Sequence, residues 1–110
     1  MLRRRRRERG DQVLRVGDLV VDRLSLEVSR AGRRIDLTRR EFDLLLAFLR
    51  RPGQVLRREE LLARVWGYDF ATDTNVVEVY VLYLRRKLEA AGEPRLLHTV
   101  RGAGYVLRAR

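Results

Sequence analysis

Between Val13 and Leu37 apolar residues fall in short runs parted by turn formers: Val13 to Val16, Leu19 to Val21, Leu24 to Val28 and Arg34 to Leu37. Runs of this length bounded by glycine and polar residues predict strands. Gly17-Asp18 divides the first two, and Arg30-Ala31-Gly32-Arg33 has the composition of a tight hairpin turn. An N-terminal antiparallel sheet is therefore expected. The spacing then becomes helical: Phe42, Leu45, Leu46 and Leu49 stand at i, i+3, i+4 and i+7. Thr38-Arg39-Arg40-Glu41 is a capping-box sequence, in which threonine hydroxyl and glutamate carboxylate satisfy the free N–H groups of a helix start. Pro52-Gly53 ends the run, so a first helix is predicted over about 39 to 51.

A shorter second helix is predicted from Glu59, Glu60 and the stripe Leu61, Leu62 and Val65, with Gly67 as its stop. Its start is weaker, because Arg57 stands where a capping Ser or Asp belongs, a loss of about 1 kcal/mol; Glu60 is expected to compensate through the helix dipole. Residues 67 to 73 have no helical or strand period and form a connecting loop. The third and longest helix is predicted to start near Thr74 or Asn75, with Asn75 and Glu78 as a second capping box, and to close at Gly92 and Pro94. Leu96 to Val100 and Tyr105 to Leu107 then flank Arg101-Gly102-Ala103-Gly104, a glycine-rich turn that makes them a hairpin.

Advancing 100° per residue divides the third helix. Val77, Tyr80, Val81, Leu84 and Leu88 gather toward the core, while Asn75, Val79, Leu82, Tyr83 and Arg86 face outward, flanked by Arg85 and Lys87. The outward set suits a major groove: an amide for adenine, arginine for guanine or phosphate, aliphatic groups for a thymine methyl. Val79 and Leu82 packing on another subunit or a neighbouring segment is the competing reading. The C-terminal hairpin carries Arg95, Arg101, Arg108 and Arg110 and no carboxylate, so it can follow phosphates, and Arg101 beside Gly102 could enter a narrow minor groove.

Composition narrows the choice. The chain has 110 residues, a length for one domain, with 45% hydrophobic and 36% charged residues. No apolar stretch of membrane-spanning or secretory type is present, so a cytoplasmic protein without membrane partner is expected. Cysteine is absent, which removes disulfides, thiolate metal sites and cysteine nucleophiles, and neither metal nor other cofactor is expected. His98 is the only histidine, and with no clustered carboxylate it reads as structural, so no catalytic residues are expected. The net charge of +10 favours a polyanion partner, although half of it lies in residues 1 to 10, where six arginines face Glu8 alone. An RNA or general polyanion binder is a second alternative, after an enzyme, but its stacking aromatics are few and scattered, with Phe42, Phe48 and Tyr80 at predicted core positions. A protein-interaction domain using Tyr68 and Phe70 is a further reading, compatible with DNA binding.

Five segments stand in one order: Leu37-Thr38-x-x-Glu41-Phe42, Arg58-Glu59-Glu60-Leu61-Leu62-x-x-Val65-Trp66-Gly67, Asn75-Val76-Val77-Glu78-Val79-Tyr80-Val81, Tyr83-Leu84-Arg85-Arg86-Lys87-Leu88 and Thr99-Val100-Arg101-Gly102-x-Gly104-Tyr105. Together, over about residues 13 to 109, they resemble the OmpR/PhoB-type effector domain of bacterial two-component response regulators. The resemblance implies an α+β winged helix-turn-helix with an N-terminal four-stranded antiparallel sheet, three helices and a C-terminal β-hairpin wing. It implies sequence-specific binding of double-stranded DNA and transcription regulation as the output domain of a phosphorelay, with the third helix in the major groove and the wing in the minor groove. Binding as a tandem dimer to direct repeats about one helical turn apart is implied, with a monomer expected off DNA. Thr99 and Arg101 match wing positions that touch DNA, Trp66 a backbone-contacting position and Arg85 a recognition-helix contact. The loop Gly67, Tyr68, Asp69, Phe70, Ala71, Thr72 and Asp73 corresponds to one implicated in touching RNA polymerase. A receiver domain, absent from this chain, and its sensor kinase are further implied partners. Residues 1 to 12 read as a basic linker or tail, expected to be disordered, and 13 to 110 as the effector domain. Leu82 stands where a polar or basic residue is common, and Tyr83 where arginine can occur, so base preference does not carry over.

Overall fold

The computed structural model describes residues 12–67 and 74–109. Four strands, β1 (Val13–Val16), β2 (Leu19–Asp22), β3 (Glu27–Arg30) and β4 (Arg33–Ile35), form one antiparallel sheet in sequence order. Three helices follow: α1 (Arg39–Leu49), α2 (Arg58–Leu61, continued as a π-helical turn over Leu62–Trp66) and α3 (Val76–Leu88). A hairpin of β5 (Leu97–Val100) and β6 (Gly104–Leu107) completes the order.

The Ala31-Gly32 turn has φ of 50° and 80°, the doubly positive geometry whose twist matches a two-residue hairpin. It pairs Arg30 with Arg33 and Val28 with Ile35. The third strand begins later than the apolar run Leu24 to Val28 suggests. Asp22 folds the chain back first: its Oδ1 accepts from the N–H of Leu24 at 2.9 Å and of Ser25 at 3.3 Å, and Leu26 takes φ 64°. Leu24 and Leu26 consequently lie in a turn, exposed.

The Thr38–Glu41 box forms in full: the Glu41 N–H donates to Thr38 Oγ1 at 3.3 Å, and the Thr38 N–H to Glu41 Oε1 at 2.8 Å. The single stripe expected on α1 is too narrow, since Phe42, Leu44, Leu45, Ala47, Phe48 and Leu49 are all buried while Leu46 is only half-buried. The helix is central, packed by the sheet, the π-helical turn, α3 and β6 at once.

At α2 no side chain caps the first amides, but the Arg57 N–H donates to Glu60 Oε1 at 3.2 Å, so Glu60 compensates by a direct bond. The second capping box, Asn75 with Glu78, does not form. Asn75 sits at φ −103°, ψ 22°, outside the extended region that aims a capping side chain at the helix. Thr74 Oγ1 accepts from the Val76 N–H at 3.3 Å instead, and Glu78 Oε2 accepts from Arg58 Nε at 2.7 Å. The core joins Leu19, Val21, Val28 and Ile35 of the sheet to α1, and Val77, Val81, Leu84 and Leu88 of α3 to Leu97 and Leu107 of the hairpin. Among the described residues no helix is long and apolar enough to cross a membrane.

Candidate nucleic-acid interface

The inner face of α3 is largely as its periodicity predicts: Val77, Val81, Leu84 and Leu88 are buried. Tyr80 is half-buried rather than core, its ring edge-on between Trp66 at 5.2 Å and Tyr83 at 5.4 Å. On the outer face Asn75, Leu82, Tyr83 and Arg86 are exposed and Val79 is half-buried. Leu82 keeps 46% and Tyr83 42% of their surface, a large apolar exposure for residues held rigidly on a helix.

Two ion pairs fix this helix against the body. Arg58 holds Glu78 in its first turn, and Lys87 Nζ meets Glu41 Oε1 at 2.6 Å near its end. Burial alone would raise the Glu41 carboxyl, but the hydrogen bonds from Lys87 and Thr38 and the Lys87 charge outweigh it and hold the group below its ordinary value. The cap of α1 thus doubles as an anchor for α3.

Arg85 turns toward the hairpin rather than into solvent. Its Nε donates to the Leu97 carbonyl at 2.8 Å and its terminal nitrogen to Thr99 Oγ1 at 2.6 Å. Arg85 and Thr99, 14 residues apart, are therefore one unit linking helix and wing. Burial, and then the neighbouring Arg95, lower the Arg85 pKa from its ordinary value, and a guanidinium keeps its charge at neutral pH.

The wing is braced from below. Leu56 pairs with Tyr105 through two backbone bonds of 2.8 and 3.0 Å, and the Gly53 N–H donates to the Leu107 carbonyl at 2.9 Å. Gly104, at φ 146°, permits this, since a Cβ there would stand 2.2 Å from the Leu56 carbonyl oxygen. Beyond the brace Arg101, Gly102 and Ala103 protrude, all exposed, with the turn closed by the Ala103 N–H on Val100 oxygen at 2.9 Å. Tyr105 is half-buried, and burial together with nearby Glu78 raises its hydroxyl pKa, so it remains a neutral donor.

Trp66 ends the π-helical turn half-buried, with the Arg40 guanidinium 5.6 Å from its ring centroid and also donating to the Val65 carbonyl. Of the expected polymerase loop only Gly67 is described, at φ 95°; Tyr68 to Asp73 lie outside the described residues, as does most of the basic tail. His98 is half-buried on β5, and no group of three metal-ligating residues occurs among the described residues. The anchors Arg58, Glu78, Arg40 and Glu41 escaped sequence reasoning as site components because their partners lie 20 to 46 positions away.

The family described as "Transcriptional regulatory protein, C terminal" matches residues 32–107. The response regulator MprA of Mycobacterium bovis is 58% identical over 95 residues, 86% of this chain and 41% of that protein. The chain thus spans about two-fifths of the length of the curated relatives it matches. Among solved structures, the Klebsiella pneumoniae RstA DNA-binding domain in complex with the RstA box superposes with a TM-score of 0.79 at 30% identity, covering 88% of this chain and 97% of that one. The DNA-binding domain of CpxR from E. coli gives 0.74 at 34% identity, covering 87% and 95%. A sheet, three helices and a braced hairpin, matched along nearly the whole length of these domains, place the chain in the family of OmpR/PhoB-type winged-helix DNA-binding domains of transcriptional regulators.

Proposed function

We propose that residues 13 to 110 act as the DNA-reading output of a response regulator, with α3 in the major groove and the β5–β6 wing in the adjacent minor groove. The observation that carries this reading is the joint presentation of two surfaces. A rigid helix face shows Asn75, Val79, Leu82, Tyr83 and Arg86, and an arginine-tipped wing is tied to that helix through Arg85 and Thr99. Asn75 and Arg86 supply polar readout, Val79 and Leu82 meet thymine methyls, and Tyr83 donates or accepts through its hydroxyl. Arg101 follows the minor groove, while Trp66 and Thr99 touch the sugar-phosphate backbone.

Residues 1 to 12 serve as the basic linker to a phosphoacceptor receiver domain, itself driven by a sensor kinase, a reading supported by the length of the response-regulator relatives. Two copies bind head to tail on direct repeats, monomeric until DNA brings them together, and the 67 to 73 loop faces RNA polymerase in the cytoplasm. The domain has no catalytic role of its own in this reading.

Selection from a random duplex library at about physiological salt, where nonspecific attraction is weakened, tests the proposal. A short enriched motif, repeated in the same direction at about one helical turn, is the expected result. Retention of DNA without enrichment would favour a general polyanion binder and overturn sequence-specific reading by this domain.

A further inference from the structure

Arg30 is the one fully buried arginine among the described residues, 1% exposed, and so cannot itself touch DNA. Its guanidinium joins three separate pieces of chain. Nε donates to Asp18 Oδ1 at 2.8 Å within its own sheet, one terminal nitrogen donates to the Leu88 carbonyl at 2.9 Å, and the other donates to the Pro94 carbonyl. Leu88 is the last residue of α3, and Pro94 lies three residues before β5. One rigid fork therefore holds the end of the recognition helix and the approach to the wing at a fixed separation.

Arg33, across the Ala31-Gly32 turn, repeats the pattern: Nε donates to Glu93 Oε2 at 2.8 Å and a terminal nitrogen to the Lys87 carbonyl at 3.2 Å. Within the same helical turn Arg85 ties α3 to Leu97 and Thr99. The last turn of α3 is thus tied by Arg30 and Arg33 to the segment leading into the wing, and by Arg85 to β5 itself.

We propose that Arg30, assisted by Arg33, is a positioning residue for DNA recognition, setting the angle at which α3 and the wing enter neighbouring grooves. The physical basis is the cost of moving. A guanidinium fork is planar and preorganised, and any rotation of the wing against α3 would strip a carbonyl from a buried charged N–H, which is far dearer than losing an exposed bond. Because the clamp springs from the N-terminal sheet, that sheet becomes part of the reading head without contacting DNA. The inference rests on the proposed docking of helix and wing together.

The test uses Arg30→Met and Arg30→Lys, the second keeping the charge but not the fork. Residual dipolar couplings of the free domain report the angle between α3 and β5–β6, with no DNA present. A changed or broadened angle in both variants is expected; an angle identical to that of the parent would overturn the proposal. On the selected duplex, Arg30→Met is expected to bind about tenfold more weakly, with most of that loss absent when Arg101 is already alanine, because the wing contact it aligns is gone. Losses that multiply independently would overturn the positioning role, since a general fold defect acts alike in both backgrounds. Should Arg30→Met fail to fold, Arg33→Ala, whose side chain is partly exposed, is expected to show the same non-additivity at smaller size, and its absence would count equally against the clamp. If the parent domain bound no duplex specifically, the docking reading would fall while the couplings still decided whether the clamp sets the angle.

Discussion

At the scale of single residues, the proposed docking separates groups that attract DNA from groups that read it. Arg101, exposed at the wing tip, belongs to the first kind. Arg101→Ala should weaken binding to all sequences and lower the slope of log affinity against log salt by about one contact. Tyr83, exposed on α3, belongs to the second, so Tyr83→Ala should change sequence preference at one position and leave that slope nearly unchanged. Affinities at several salt concentrations, measured on matched and mismatched duplexes, check both.

Glu41 gives the residue scale a pH dependence. Its carboxyl lies below the ordinary value of 4.5 in the folded domain because Lys87 and Thr38 hold it ionised against the effect of burial. A depressed carboxylate contributes stability that is complete above pH 4.5 and is lost as pH falls through the lower folded value. Thermal or urea unfolding should therefore show an acid limb beginning below about that pH, and Glu41→Gln should flatten it while lowering stability at neutral pH. An unchanged acid limb in the variant would remove Glu41 from the anchor of α3.

At the scale of elements, helix and strand existence could be read from spacing, whereas several boundaries and caps could not. The four strands, the three helices and the hairpin follow from the runs and periods that the sequence displays. The β3 start is displaced because the Asp22 side chain captures two amides, a local hydrogen-bond choice that hydrophobic pattern does not encode. Asn75 carries a capping sequence without the backbone angles to use it. Asn75→Ala should accordingly change unfolding free energy by less than about 0.5 kcal/mol, below the typical value for a functioning cap, and still weaken binding to the preferred duplex. Gly104 makes the opposite case. A side chain there would meet the Leu56 carbonyl at 2.2 Å, so Gly104→Ala should cost about 1–3 kcal/mol and detach the wing from its brace. Loss of amide protection at Leu56 and Tyr105 in hydrogen exchange would locate the damage.

At the scale of the whole molecule, the outward face of α3 was legible because helical periodicity assigns each side chain a direction, and Asn75, Leu82, Tyr83 and Arg86 lie exposed as that angle predicts. What was not legible is how the face is held. Arg30, Arg33, Arg58 and Lys87 reach partners 12 to 64 residues distant, and nothing in the local sequence names those partners. Arg85 is the instructive mixture: its place on the flank of α3 follows from the period, but its attachment to Leu97 and Thr99 requires the hairpin to be folded back beside the helix. Charge, too, reads differently at this scale. Of the net +10, half stands in the first ten residues, so removing them should reduce nonspecific affinity strongly and sequence preference little.

If α3 and the wing read two grooves at once, methylation interference on the selected duplex will register both, because dimethyl sulfate marks guanine N7 in the major groove and adenine N3 in the minor groove in one experiment. Guanine interference within each half-site and adenine interference on its flank are expected, with the adenine signal lost in Arg101→Ala and the guanine signal kept. Interference confined to one groove, or an adenine signal unchanged by Arg101→Ala, would contradict two-groove reading.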